Sequence, residues 1–163
     1  MKILIVSDSH GREENLKKAI NQEEPIDMLI HLGDSNGNID YIKGLVNCPV
    51  HIVCGNNDFF CNVESDLLIN ILDYRVFLTH GHRYGVNYDL DRIKSIGRQL
   101  EVDIIMYGHT HRPHLDISGD IWVINPGSIT LPRQKDKKPT YLIMEIDNLG
   151  TTNLNLKSVN KFH

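Results

Sequence analysis

Five short apolar runs in this chain each stop at a cluster of aspartate, asparagine or histidine, and that repetition limits the possible folds more than any other feature. Residues 3–6 lead into Asp8-Ser9-His10, residues 28–32 into Gly33-Asp34, and residues 50–53 into Gly55-Asn56-Asn57-Asp58. Residues 76–79 lead into His80-Gly81-His82, and residues 104–107 into Gly108-His109-Thr110-His111. In an extended chain positions i and i+2 share a side, so Asp8 and His10 are expected to project together from a strand end. Open α/β sheets bind ligands beyond the carboxyl ends of their strands, and the glycines allow the sharp turns needed there. The five tips are therefore expected to converge on one site.

Between the runs lie segments of helical period: Leu16, Ala19 and Ile20; Ile39, Ile42 and Leu45; Leu90, Ile93, Ile96 and Leu100. The first half reads βαβαβ, which predicts a parallel sheet with covering helices. Residues 67–72 and 76–79 flank Asp73 and Tyr74 as a hairpin. Toward the C-terminus, 115–117, 121–124, 141–146 and 153–159 are short runs parted by SGD, NPG and DNLG turns, which predicts antiparallel strands in a mixed sheet or in two packed sheets. No repeat or linker interrupts the pattern, so residues 1–163 are expected to form a single domain.

Composition removes several classes of function. At 163 residues and 40% hydrophobic, the chain suits a substantial core, and no stretch approaches the roughly 18 apolar residues of a membrane helix. The apolar run at 3–6 is far shorter than a signal-peptide core, so a cytoplasmic location is expected and no membrane partner. Cys48, Cys54 and Cys61 are odd in number and form no C-x-x-C pair, which argues for reduced thiols rather than disulfides or thiolate zinc. A net charge of -4 gives no attraction to nucleic acid, and Arg133, Lys135, Lys137 and Lys138 read as a solvated loop. The chain has no G-x-S-x-G elbow, no G-x-x-x-x-G-K-[ST] loop and no G-x-G-x-x-G turn.

Carboxylate, amide and imidazole donors without sulfur suit manganese, iron, nickel, cobalt or zinc. In order, D-x-H, G-D, G-N-x-D, H and G-H-x-H stand here as Asp8 and His10, Asp34, Asn56, His80, and His109 with His111. Over Met1 to about Arg133 this series resembles the calcineurin-like metallophosphoesterases. The short length, the L-T-H-G-H tip at 78–82, the N-P-G-S stretch at 125–128 and Pro132-Arg133 look most like the small prokaryotic YfcE-like phosphodiesterases.

The resemblance implies a four-layer α/β/β/α sandwich, two mixed β-sheets flanked by helices, with two divalent metals at the top of the sheets and manganese the first choice. It implies that Asp8, His10 and His111 hold one ion, that Asn56, His80 and His109 hold the other, and that Asp34 bridges them. Two divalent ions against two carboxylates and a bridging hydroxide leave a net positive centre, suited to in-line attack on a small phosphodiester. The other readings are a phosphomonoesterase, a nuclease, or a binding scaffold like the retromer subunit of the same fold; a homo-oligomer stays open.

Two positions depart from the wider family. Gly37 stands where G-D-x-x-D would place a supporting acid, and Asn57 stands where many relatives have a histidine that assists the leaving group. Asparagine is no comparable proton donor, so Asn57, a candidate catalytic position beside Asp34, is expected only to donate a hydrogen bond to a phosphate oxygen. His82 is a candidate substrate-binding residue, and the Asn125–Ser128 stretch is either a substrate-facing loop or an ordinary turn. His31, His51, His114 and His163 match no motif and are expected to be structural or exposed.

Overall fold

The computed structural model describes residues 1–59 and 61–159. The ten strands are β1 Lys2–Val6, β2 Met28–His31, β3 Val50–Ile52, β4 Asp66–Ile71, β5 Tyr74–Thr79, β6 Ile104–Met106, β7 Pro113–Asp116, β8 Trp122–Pro126, β9 Thr140–Ile146 and β10 Thr152–Ser158. The helices are α1 Glu14–Glu23, α2 Ile39–Lys43 and α3 Asp91–Gln99, with one 3₁₀ turn at His82–Tyr84. One sheet runs β10-β9-β1-β2-β3 and the other β4-β5-β6-β8-β7.

Both sheets are mixed. In the first, β1, β2 and β3 are parallel and β9 returns antiparallel to β1. In the second, β5, β6 and β8 are parallel, with β4 and β7 antiparallel at the edges. The C-terminal strands are thus not all antiparallel, as their turns suggested: β8 is parallel to β6, and β7 opposes it. Tyr74 is not in the hairpin turn but pairs with Ile71, the turn being made at Leu72 and Asp73.

The layering follows from period-two alternation. Ile3 and Ile5 of β1 pack with Val76, Leu78, Ile104 and Met106 between the sheets, while Leu4 and Val6 face outward onto Leu16, Ala19 and Ile20 of α1 and Ile42 of α2. On the far side, Phe77, Ile105 and Val123 pack against Ile93 of α3. Three apolar seams therefore separate four layers, helices outside and sheets within. Within each sheet the parallel strands end together, β1, β2 and β3 in one and β5 and β6 in the other, and a bond from His80 to Leu32 O brings the two sets of polar tips to one edge.

No helix among the described residues is long and apolar enough to cross a membrane. The stretch containing Arg133, Lys135, Lys137 and Lys138 is an exposed connection, and His163 lies outside the described residues.

Candidate metal centre

The five tips do converge, but not through the strand pleat. Asp8, His10, Asp34, His109 and His111 all have left-handed backbone, with φ of 57, 50, 56, 68 and 57°. That conformation costs an L-residue roughly 1–2 kcal/mol and is least unfavourable for Asp and Asn. It turns successive side chains inward from loops lying just past the strands. Cross-loop bonds hold it there: Asp8 N to Gly33 O at 3.0 Å, His10 N to Asp34 O at 2.8 Å, and Gly108 N to His80 O at 3.2 Å. Space is equally constrained, since a Cβ on Gly55 would collide with the Asp34 carboxylate and one on Gly108 with Ser7 Oγ.

Asp8, His10, Asp34 and His111 each offer a ligand atom, all within 4.8 Å of one another. His10 Nε2 and His111 Nε2 are 3.2 Å apart, and His111 Nε2 is 3.2 Å from Asp8 Oδ1. His80 Nε2 faces the same centre from the other side, 3.5 Å from Asp34 Oδ2, 3.9 Å from Asp8 Oδ1 and 3.2 Å from Asn56 Oδ1. The His109 ring packs edge-on to His80 with centroids 5.1 Å apart, and its own backbone N–H donates to Asp8 Oδ2 at 3.2 Å.

The ring orientations suit cation binding. His80 Nδ1 meets Leu32 O and His111 Nδ1 meets Leu131 O, both at 2.7 Å, so Nδ1 carries the proton and each Nε2 lone pair points inward. His109 differs, for the Asn87 side-chain amide meets its Nε2 at 2.8 Å. Asp8 Oδ1 is buried and has no hydrogen-bond partner among the described residues. A buried carboxylate oxygen left this way is costly unless a cation meets it, so the donor set fits the metal ions that the motifs imply.

Charge follows the same geometry. Burial raises the Asp8 carboxyl, but the neighbouring His111 and His80 rings outweigh it and hold Asp8 below the usual range. Asp34 is lowered too, His80 and the Asn57 donors outweighing burial. Burial lowers His10 against the pull of Asp34, and burial with the neighbouring His80 takes His109 down to about 4. Two anions thus face imidazoles, two of which, His10 and His109, are held toward neutrality.

Several supports were not read from the sequence. Asp58, quoted only within its Gly-Asn-Asn-Asp stretch, is buried and accepts from Asp34 N at 2.7 Å, Ser35 Oγ at 3.0 Å, Asn36 N at 2.6 Å and Gly55 N at 2.8 Å. It supplies the anchoring acid that Gly37 cannot. His31 is structural, as expected: Gly33 N donates to its Nδ1, its Nε2 meets Ser9 Oγ at 3.0 Å, and Ser9 donates to Glu13. Burial drops His31 to about 4, so it serves this chain as a neutral ring.

Asn57 donates to Asp34 through its backbone N at 2.8 Å and its side chain at 2.6 Å. His82 lies beside His80, centroids 5.4 Å apart, with a buried Nδ1 that has no partner among the described residues. The Asn125–Ser128 stretch is buried: Asn125 donates to Gly108 O and Ser128 to Asp8 O, both at 2.8 Å, so it braces the ligand loops from behind. His51 and His114 are half-buried and away from these contacts.

Two buried carboxylates ringed by imidazoles at the strand ends make a candidate metal-binding site, and residues 1–149 match the Calcineurin-like phosphoesterase superfamily domain. The chain belongs to that superfamily. It is 34% identical over 153 residues to a probable metallophosphoesterase, YsnB, of Bacillus subtilis, covering 93% of this chain and 88% of the relative. It is also 34% identical over 145 residues to a phosphodiesterase, MJ0936, of Methanocaldococcus jannaschii, covering 78% and 83%. The crystal structure of a predicted phosphoesterase from Streptococcus pneumoniae superposes with a TM-score of 0.83 at 27% identity, over 96% of this chain and 88% of that one. Zinc-bound Vps29 of Entamoeba histolytica shares the fold, with a TM-score of 0.76 at 24% identity over 98% and 100%.

Proposed function

We propose that this chain is a phosphodiesterase working through a pair of divalent ions, with manganese the first candidate. Asp8, His10 and His111 hold one ion; Asn56, His80 and His109 hold the other; Asp34 bridges them. The observation that carries this reading is the buried Asp8 Oδ1, without a hydrogen-bond partner among the described residues and within 4 Å of inward-facing imidazole nitrogens. The name of the M. jannaschii relative supports diester chemistry.

When bound, such a pair lowers the pKa of water and neutralises the charge that develops on phosphorus in an in-line displacement. The rest is done by this chain. Asp8 and Asp34 stay ionised, His80 and His111 are aimed through their Nδ1 bonds to carbonyls, and Asn57 orients Asp34 with two donors. His82 lies close enough to His80 to serve as a substrate contact. No general acid stands at position 57, so esters with good leaving groups are the favoured substrates. A small phosphorylated molecule in the cytoplasm is the expected substrate, met by a single-domain protein.

The test is hydrolysis of bis(p-nitrophenyl) phosphate and of p-nitrophenyl phosphate by chelated protein with metals added back. Manganese-dependent turnover of the diester, faster than of the monoester, is expected. Turnover that survives chelation, or a faster monoester, contradicts the proposal.

A further inference from the structure

Beside Asp34 a cavity of about 320 Å³ opens between two loops, lined by His10, Asn36, Asn57 and Phe59. Two of these residues belong to the centre: His10 Nε2 is 3.8 Å from Asp34 Oδ2, and Asn57 donates to the same carboxylate. A phosphorus held there must send its organic substituent outward, and this cavity starts where the ligands end.

Phe59 is 76% exposed, whereas Phe77 is buried at 3%. A single exposed apolar residue is ordinary on a protein surface. What separates Phe59 is that its ring shares a cavity with His10 and Asn57. Nor is the ring on a slack loop. The buried Asp58 immediately before it bonds Asp34 N, Gly55 N, Ser35 Oγ and Asn36 N, so one carboxylate fixes both the loop carrying Phe59 and the facing loop carrying Asn36. The backbone leading to the ring is thus held before anything binds, which lowers the ordering cost of binding.

We propose, resting on the phosphodiesterase reading, that this cavity is the subsite for the ester's organic group and that Phe59 stacks on a flat aromatic substituent, an aryl group or a nucleobase. The ring face supplies sequence-tolerant π contact, and the amides of Asn36 and Asn57 meet the polar edge of such a group.

Binding of phenylphosphonate, methylphosphonate and adenosine 5′-monophosphate to manganese-loaded protein, measured by calorimetry, tests this. The two phosphonates present similar anions to the metals and differ in the flat group. Phenylphosphonate is expected to bind about tenfold tighter than methylphosphonate, the order one stacking contact supplies. Phe59→Ala should reduce that ratio to near one without changing methylphosphonate, and Phe59→Trp should keep it. Phe59 is exposed, so neither change threatens the fold. An equal loss for adenosine monophosphate assigns the subsite to nucleobases as well; no effect there confines it to aryl groups joined directly to phosphate. Equal, metal-dependent affinity for both phosphonates, or an advantage that survives Phe59→Ala, overturns the subsite and leaves the metal centre standing. Binding that ignores the metal overturns the phosphodiesterase reading and this subsite with it.

Discussion

The two ends of β1 carry the same kind of burden and resolve it differently. At its start, Glu23 is buried, and both its oxygens are matched: Oε1 by Tyr141 OH at 2.8 Å and Lys157 Nζ at 2.9 Å, Oε2 by Lys157 Nζ and Lys2 Nζ at 3.0 Å each. Just past its end, Asp8 is also buried, yet Oδ1 has no hydrogen bond among the described residues and the backbone is left-handed. Glu23 is thus satisfied wholly within the chain, whereas Asp8 keeps a buried oxygen and a left-handed backbone that fit a cation partner.

The largest test of that contrast is Asp34→Asn. It removes the carboxylate proposed to bridge both ions while keeping its shape, and metal affinity and diester turnover should each fall by more than about 100-fold, since even residues behind the ligands cost about 10–100-fold. Metal titration and initial rates read it. Next is Asp58→Asn, which turns one of two accepting oxygens into an amide donor and so breaks two of the four bonds without removing a ligand side chain; metal affinity should fall about 10–100-fold with the fold retained by circular dichroism.

Glu23→Gln tests the other end. Losing charge-assisted bonds should cost about 1–3 kcal/mol in denaturant unfolding and leave metal affinity unchanged. Although burial raises it, the bonds from Lys157, Lys2 and Tyr141 hold the Glu23 carboxyl below its ordinary value. A depressed folded-state pKa stabilises above the unfolded pKa of about 4.3 and loses that as pH falls through the folded value, so the gap between native and variant should narrow below about pH 4. The smallest effect is expected for Asn87→Ala, which frees the His109 ring and should weaken metal binding by about tenfold. If Glu23→Gln disturbed metal binding as much as Asp58→Asn, the two ends of β1 would not be distinct.

Much of this was legible in the sequence. The short apolar runs gave the sheets, and the order of Asp8, His10, Asp34, Asn56, His80, His109 and His111 gave the family and the residues that meet. What could not be read depends on atoms without a sequence signature. The carbonyls of Leu32 and Leu131 that aim His80 and His111 exist at every residue, and only the fold selects them. Asn87 reaches His109 across 22 positions, with no spacing to announce it. Asp58 did carry a signal, in a stretch too rich in turn formers to separate an anchor from a turn. Strand direction at β8 failed for a related reason: turn residues show that the chain reverses, not which neighbour it then joins.

The central claim is that the cluster around Asp8 and Asp34 is a site for two cations. Titrating chelated protein with manganese, with bound ion counted by electron paramagnetic resonance, tests it most directly. Two ions per chain with the broadened signal of a coupled pair are expected, and the pair should be lost in Asp34→Asn. No bound manganese or other divalent transition metal, or two ions held equally well by Asp34→Asn, would contradict it.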